Sequence, residues 1–385
     1  MMKIKSLLIA MMAICLTMGI TSCKDDKDDP VENNYTIYQK AVNETVKAQK
    51  KSNKAILLVA FGSTWEQAYD AFDATVAAYK SKFPGYDVFL SFSSAICINR
   101  AAAGENVDPR NFYAPPFWLN AFAQKGVQYS EIVVQSLQVI PGEEYTRVIN
   151  YMKDFANNAN GDISDKYLSI VDLKLGVPLL QDADADVNLV ASELHKLYKN
   201  QANEGVVAFM GHGNPDSYDT YKANVRYTQL EEALQQLNSH YFVGTVDMMD
   251  NFKTNVYERM VAAGFTSGKV YCHPLMSIDG DHGHNDMAGD DDDNWDGVKF
   301  TPNDEGEVED TSWKMYFHHL GYECDNSTMI EKGLLELPTI RQVWMNHTMD
   351  AINGSHLENE SPGDLLNFNW LGQRLFSTIF SCLLS

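Results

Sequence analysis

The sequence has little cysteine and little basic charge. Only 6 of its 385 residues are cysteines, and Cys97, Cys272, Cys324 and Cys382 show neither a CxxC pair nor a zinc-finger spacing. A thiolate metal cluster is therefore disfavoured, although one structural disulfide stays open. The formal net charge is −22. Nucleic acid and anionic membrane surfaces both require basic patches, so the charge argues against them as partners.

The apolar run at residues 7–20 is too short for a comfortable transmembrane helix. It follows two lysines and precedes Ile20-Thr21-Ser22-Cys23, so residues 1–22 are predicted to be a secretory signal peptide. These four residues resemble a bacterial lipobox, which makes Cys23 the predicted lipidation site. An ordinary signal peptide with an incidental cysteine is the alternative.

An acidic segment follows the predicted signal peptide. It begins Lys24-Asp25-Asp26-Lys27-Asp28-Asp29, and residues 23–53 are predicted to be the lipidated cysteine and a solvated tether. Acidic residues directly after the acylated cysteine also resemble a surface-export signal of lipoproteins. We therefore expect an outer-membrane lipoprotein of the cell envelope, facing the periplasm or the cell surface and touching the membrane only through its lipid.

From residue 54 onward, short apolar runs alternate with amphipathic segments. The capping-box pairs Ser63–Glu66 and Thr228–Glu231 indicate two helix starts, and Pro84-Gly85 indicates a helix end. The alternation predicts an α/β fold with a mainly parallel sheet. The predicted strands span residues 55–61, 87–92, 131–140, 206–210, 241–246 and 269–276.

The two halves of the sequence resemble each other. When Glu131 is set against Lys269, 138 residues later, Gly142 meets Gly280 and Glu144 meets His282. We interpret this as an internal duplication that gives two similar lobes facing across a cleft; chance similarity of two buried strands is the alternative. The predicted lobes span residues 54–185 and 186–355, with an acidic insertion at 294–311 and an apolar tail at 356–385 that is either a core helix or a membrane-surface helix.

Several polar side chains follow predicted strands of the second half. His212 and His282 each lie beside glycines after a strand, and Asp247 ends another. Because ligands bind at the carboxyl ends of parallel strands, these three side chains are candidates for one site for Fe, Co, Ni or Zn. The alternatives are that the histidines are hydrogen-bonded residues with a structural role only, and that Asp247 caps a helix.

Two further residues near this site differ in their expected roles. Glu144, from the first half, is a candidate proton acceptor facing the histidines, or else a turn acid that caps a helix. His284 is expected to be a supporting or surface residue rather than a ligand.

Five motifs in order resemble one family. They are Phe61-Gly62-Ser63, Gly142-Glu143-Glu144-Tyr145, the run Leu175 to Leu180, Met210-Gly211-His212-Gly213, and the run Gly280 to Asp290. Together they resemble the class II tetrapyrrole chelatases, in particular the anaerobic sirohydrochlorin cobaltochelatase type, over roughly residues 54–350.

The resemblance implies two lobes, each a parallel sheet flanked by helices, with a tetrapyrrole between them. It implies that His212 and His282 are paired metal-binding and catalytic residues, that Glu144 is the cleft glutamate, and that Asp247 stands where the family usually has a glutamate. Co²⁺ is the implied substrate metal, with Fe²⁺ and Ni²⁺ as alternatives, in chemistry of the anaerobic cobalamin pathway. Assembly into a homo-oligomer is an open alternative.

The predicted export conflicts with that reaction, because cobalamin precursors are cytoplasmic. Two alternatives therefore stay open: an envelope lipoprotein for haem-iron acquisition that removes iron from haem, and a carrier that only binds haem or metal.

Overall fold

The computed structural model describes residues 34–104, 108–214, 219–246, 251–290 and 311–354. Two parallel sheets organise these residues. The first has the strand order β2-β1-β3-β4 and the second has the order β6-β5-β7. The strands are β1 (Lys54–Ala60), β2 (Asp87–Phe92), β3 (Glu131–Ser136), β4 (Asp172–Gly176), β5 (Val206–Gly211), β6 (Tyr241–Thr245) and β7 (Val270–Leu275).

Helices flank both sheets. Two π-helices, Asn251–Tyr257 and His282–Met287, and two short 3₁₀ turns, Asn326–Thr328 and Leu334–Glu336, accompany the α-helices. The α-helices are α1 (Asn34–Gln49), α2 (Glu66–Lys82), α3 (Ala95–Ala103), α4 (Pro115–Ala123), α5 (Glu143–Ala156), α6 (Asp165–Leu168), α7 (Ala185–Glu204), α8 (Val225–Leu237), α9 (Glu258–Ala262), α10 (Trp313–His319) and α11 (Pro338–Asn353). None of the helices in the described ranges has the length and apolar character needed to cross a membrane.

The predicted α/β fold class is confirmed. Strands β1, β3 and β5 are buried nearly throughout, which explains the continuous apolar sequences of β1 and β5. In the first sheet β1 lies between β2 and β3, and in the second β5 lies between β6 and β7. Strands β3 and β7, which the internal alignment matched, therefore occupy equivalent places in two similar sheets.

The two capping-box predictions were wrong. Helix α2 begins at Glu66 after Trp65, and the Ser63 hydroxyl accepts a hydrogen bond from the Trp65 amide at 3.2 Å. Helix α8 begins at Val225, which leaves Thr228 inside the helix. Its buried Glu231 accepts a hydrogen bond from the Val243 amide on β6 at 2.6 Å. A long-range tertiary contact therefore uses the carboxylate that the sequence pattern assigned to a local cap.

The assignment of residues 23–53 to a tether was wrong for the part that forms α1. Val42 and Val46 of this helix are completely buried in a core cluster with Val59 of β1 and Trp118 of α4. Valines four residues apart lie on one helical face, and burial of that face stabilises the helix. The rest of that segment, including Cys23 and residues 1–22, lies outside the described residues.

The last helix packs against the first sheet. The Trp344 indole of α11 donates to the carbonyl of Gln138 at 3.2 Å, and Lys174 of β4 donates to the carbonyl of Ile352 at 2.7 Å. The largest core cluster contains Val133 of β3, Phe209 of β5 and Trp344. The two sheets are thus joined by a shared core.

Several sequence predictions fall on undescribed residues or stay untested. The predicted lobe boundaries stay predictions. The acidic insertion, apart from Thr311, and the apolar tail lie outside the described residues. The described residues from Tyr38 onward belong to one compact unit. Cys97, Cys272 and Cys324 are free thiols.

Candidate functional site

His212 directly follows β5. Its neighbour Gly213 has a φ of 78°, and a Cβ there would lie 2.7 Å from the Thr245 hydroxyl oxygen at the end of β6. Position 213 therefore needs glycine for both its left-handed backbone and its space. This tight turn brings the His212 side chain out at the carboxyl edge of the second sheet, where ligands bind in α/β folds.

His282 begins the second π-helix, after β7 and a short loop. The ring centroids of His212 and His282 are 4.8 Å apart, and the ring planes are inclined by 82°. The structure thus brings together the two histidines that the sequence analysis singled out. A single-turn π-helix is rare and is often found at functional sites, where it re-aims side chains.

Hydrogen bonds define the orientation of both imidazole rings. His212 Nδ1 lies 2.8 Å from the carbonyl oxygen of Gly213, and His282 Nδ1 lies 2.6 Å from the Asp286 carboxylate. Because carbonyl and carboxylate oxygens accept, each Nδ1 must donate its proton. In the neutral rings the lone pair is then on Nε2, which is the form that binds a metal ion.

Glu144 reaches the same edge from the first sheet. It lies in the first turn of α5, where Arg147 forms an ion pair with it at 3.3 Å and Ser93 donates to it at 3.5 Å. Burial raises the pKa of Glu144 above its usual range, while the positive charges of Arg147 and His212 act in the opposite direction. His212 therefore lies within electrostatic range of Glu144, so the position of Glu144 at a helix start does not exclude a role near the histidines.

Asp247 lies outside the described residues. The last described residue before it is Val246, whose amide donates to the carbonyl oxygens of Gly211 at 2.9 Å and His212 at 3.1 Å. The chain leading to Asp247 is therefore hydrogen-bonded to the histidine turn, and its role as a ligand stays a prediction.

Sequence reasoning missed two supporting residues. Asp286 orients His282, and Arg147 lowers the pKa of Glu144. Each follows its partner by one helical turn, four residues for Asp286 and three for Arg147. A search for charges one turn beyond each candidate residue would have found both.

The chain is similar to known proteins over most of its length. A family model described as cobalt chelatase (CbiK) matches residues 54–306. A sirohydrochlorin cobaltochelatase of Salmonella typhimurium is 27% identical over 304 residues, covering 78% of this chain and 97% of the relative. The sirohydrochlorin cobaltochelatase CbiKC of Nitratidesulfovibrio vulgaris is 25% identical over 306 residues, covering 78% and 92%.

A solved structure, SirB from Bacillus subtilis with Fe³⁺, superposes with a TM-score of 0.46 at 13% identity, covering 79% of this chain and 98% of that one. The family match does not depend on that likeness, because the family model alone spans more than half of the chain. The protein therefore belongs to the CbiK cobalt chelatase family and is a metal chelatase.

Proposed function

We propose that the protein inserts Co²⁺, with Fe²⁺ as the alternative metal, into a tetrapyrrole of the sirohydrochlorin type. His212 and His282 bind the incoming metal, Asp247 is a third ligand, and Glu144 accepts a proton from the macrocycle. The observation that supports this proposal best is the pair of oriented imidazoles at one sheet edge, with the half-buried Glu144 carboxylate within electrostatic range of His212.

The two imidazoles are suited to holding a metal that must leave again. Nitrogen ligands suit Co, Fe, Ni and Zn in the divalent state, whereas thiolates would bind more permanently. The Asp286 carboxylate holds the His282 ring and increases its basicity, as outer carboxylates do at histidine metal sites. A divalent ion bound at this edge is therefore positioned before the macrocycle closes over it.

Insertion of a divalent metal releases two protons from the pyrrole nitrogens. Burial raises the pKa of Glu144 and makes its carboxylate a stronger base than an exposed one, while the charge of Arg147 favours its ionised form. A neutral imidazole of the pair accepts the second proton as its metal leaves. Two positive charges enter the macrocycle and two protons leave it, so the net charge is unchanged.

Two exposed apolar side chains lie at the carboxyl ends of strands β1 and β2. Phe61 and Ile96 are each 44% exposed, and they adjoin Gly62 and Cys97. A Cβ at Gly62 would touch Cys97, so the two side chains belong to adjoining turns. Exposed apolar groups at this edge of the first sheet are suited to the flat face of a tetrapyrrole.

The experiment is metal insertion under anaerobic conditions. The protein is mixed with sirohydrochlorin and Co²⁺ or Fe²⁺, and insertion is followed by absorption. We expect His212→Ala and His282→Ala each to lower the rate at least tenfold, while His318→Ala, at an exposed position on α10, leaves it unchanged. Near-normal rates in both site variants would show that the histidine assignment is wrong.

The predicted export signal favours a second candidate, removal of iron from external haem or binding of haem without turnover. Haem is offered to the same protein, with the same three variants. Loss of the haem spectrum with release of iron supports removal, and a stable shifted spectrum without metal insertion supports a carrier. Cys23→Ser tests the proposed lipoprotein in cells: we expect the variant to leave the membrane fraction, and retention there contradicts lipidation at this residue.

A further inference from the structure

A second group of ligand-type side chains lies at the π-helix that begins with His282. Asp279 lies in the loop after β7, His284 lies in the π-helix, and Glu331 follows the bridge between Cys272 and Met329. One ligand atom from each of the three lies within 4.8 Å of the others. Residues of the stretch 279–284 and of the later segment that contains Glu331 thus converge on one point.

Asp279 is the feature of this group that most needs explanation. It is completely buried, and neither of its carboxylate oxygens has a hydrogen-bond partner. His284 Nε2 is likewise without a partner and lies 3.7 Å from Asp279. Buried polar groups are nearly always hydrogen-bonded, and buried charges are paired or coordinate metals, so an orphaned carboxylate indicates a missing partner.

The negative charges around Asp279 make its buried, ionised carboxylate still less favourable. Glu331 and Glu336 are both close enough to act on it, and together with burial they raise the pKa of Asp279 to about 7. Glu331 lies 3.4 Å from His284 Nδ1. A divalent cation between these side chains would satisfy the orphaned atoms and offset the accumulated negative charge.

The surrounding packing holds the three side chains in place. A Cβ at Gly283 would collide with Asp279, so the glycine leaves room for the carboxylate beside the π-helix. The His284 ring stacks on Trp65 at 4.0 Å with an inclination of 24°. Gln67 donates to the Glu331 carbonyl at 2.6 Å. These contacts fix the group from the side of α2 as well.

We propose that Asp279, His284 and Glu331 form a second divalent-metal site, separate from the His212–His282 pair. One imidazole nitrogen and two carboxylate oxygens suit Zn²⁺, Co²⁺, Fe²⁺ or Mn²⁺. Ligands at about 2.1 Å from a tetrahedral ion are about 3.4 Å apart, so separations up to 4.8 Å require only a small closure. This site does not depend on the proposed reaction, because its ligands are not those assigned to insertion.

The test counts Co²⁺ ions bound per chain by equilibrium dialysis, with the metal alone as probe. We expect His212→Ala/His282→Ala to lose one ion and keep another. Glu331→Gln should lower the affinity for that remaining ion at least tenfold. Glu258→Gln, which changes an exposed acid on α9, should leave this affinity unchanged. Equal affinity in Glu331→Gln and the original chain would overturn the proposal, and so would loss of every bound ion in the double histidine variant.

Two further measurements remain informative if a variant folds poorly. Asp279→Asn should raise the melting temperature of the metal-free protein, because it removes an unpaired buried charge, and should abolish the increase that Co²⁺ gives at this site. Co²⁺ should also quench Trp65, which stacks on a ligand; Trp65→Phe should lose that component of the quenching while keeping the ion. A lower melting temperature in metal-free Asp279→Asn, or unchanged quenching in Trp65→Phe, contradicts the site.

Discussion

The Asp286→Ala substitution removes the carboxylate that accepts the Nδ1 proton of His282 at 2.6 Å. A hydrogen bond to a charged group contributes about 1.5–3 kcal/mol. The side chains of His282 and Asp286 are 36% and 37% exposed, so solvent replaces part of the interaction. We therefore take the lower part of the range, about 1.5–2 kcal/mol, which corresponds to roughly 10- to 30-fold in an equilibrium or rate constant.

This loss should fall on the metal rather than on the macrocycle. Without the carboxylate, the His282 ring can rotate or change tautomer, and Nε2 then presents a lone pair to the metal for only part of the time. The assay measures insertion rates against metal concentration and, separately, against tetrapyrrole concentration. We expect weaker dependence on metal and an unchanged KM for the tetrapyrrole.

Asp281→Asn is the matched control for this prediction. Asp281 lies next to His282, is exposed, and accepts a hydrogen bond from Asn285 at 3.0 Å rather than from a histidine. The Asp281→Asn substitution removes the same charge from the same region, and it should change the metal concentration needed for half-maximal insertion by less than twofold. If Asp286→Ala and Asp281→Asn behave alike, orientation of His282 by a carboxylate is not what matters.

Three further perturbations test other parts of the structure. Arg147→Met should move the acidic limb of the pH–rate profile to higher pH, because loss of the cation raises the pKa of Glu144 further. An acidic limb at the same pH would show that the charge of Arg147 does not act on the proton acceptor. Gly213→Ala should lower the free energy of unfolding by about 2–4 kcal/mol through backbone strain and overpacking, measured with urea. Gly126→Ala, with a φ of 90° but no atom within 4 Å, should lose only about 1 kcal/mol. Burial lowers the pKa of His273 to about 3, so stability should fall as pH drops below about 6.5, by roughly 2 kcal/mol at pH 5. His273→Gln should lack that part of the acid sensitivity.

The sequence predicted the strands better than the helix starts. Strand Asp87–Phe92 has the predicted bounds, and the strand predicted from residue 131 is shorter, ending at Ser136. A buried parallel strand needs a continuous apolar run, and that pattern is visible without any tertiary information. The helix starts predicted at Ser63 and Thr228 were wrong because the capping pattern is short and its polar side chains have other partners in the folded chain.

The candidate site was predictable to the extent that glycine-flanked histidines follow strands. His212 and His282 could be singled out because their local sequence demands a tight turn at a sheet edge. Their separation of 4.8 Å could not be read from the chain, since it depends on how β5 and β7 pair. The orienting role of Asp286 depends on the π-helix, which has no clear sequence signature.

The sequence by itself thus determined the α/β class, the repeated sheets and the residues that end their strands, because hydrophobic periodicity and glycine placement are local properties. The tertiary structure alone decided which of those residues meet. It placed the rings of His212 and His282 4.8 Å apart, and it left Asp279 buried beside His284 with no hydrogen-bond partner. Contacts between distant segments depend on packing and register, so no local pattern in the chain contains them.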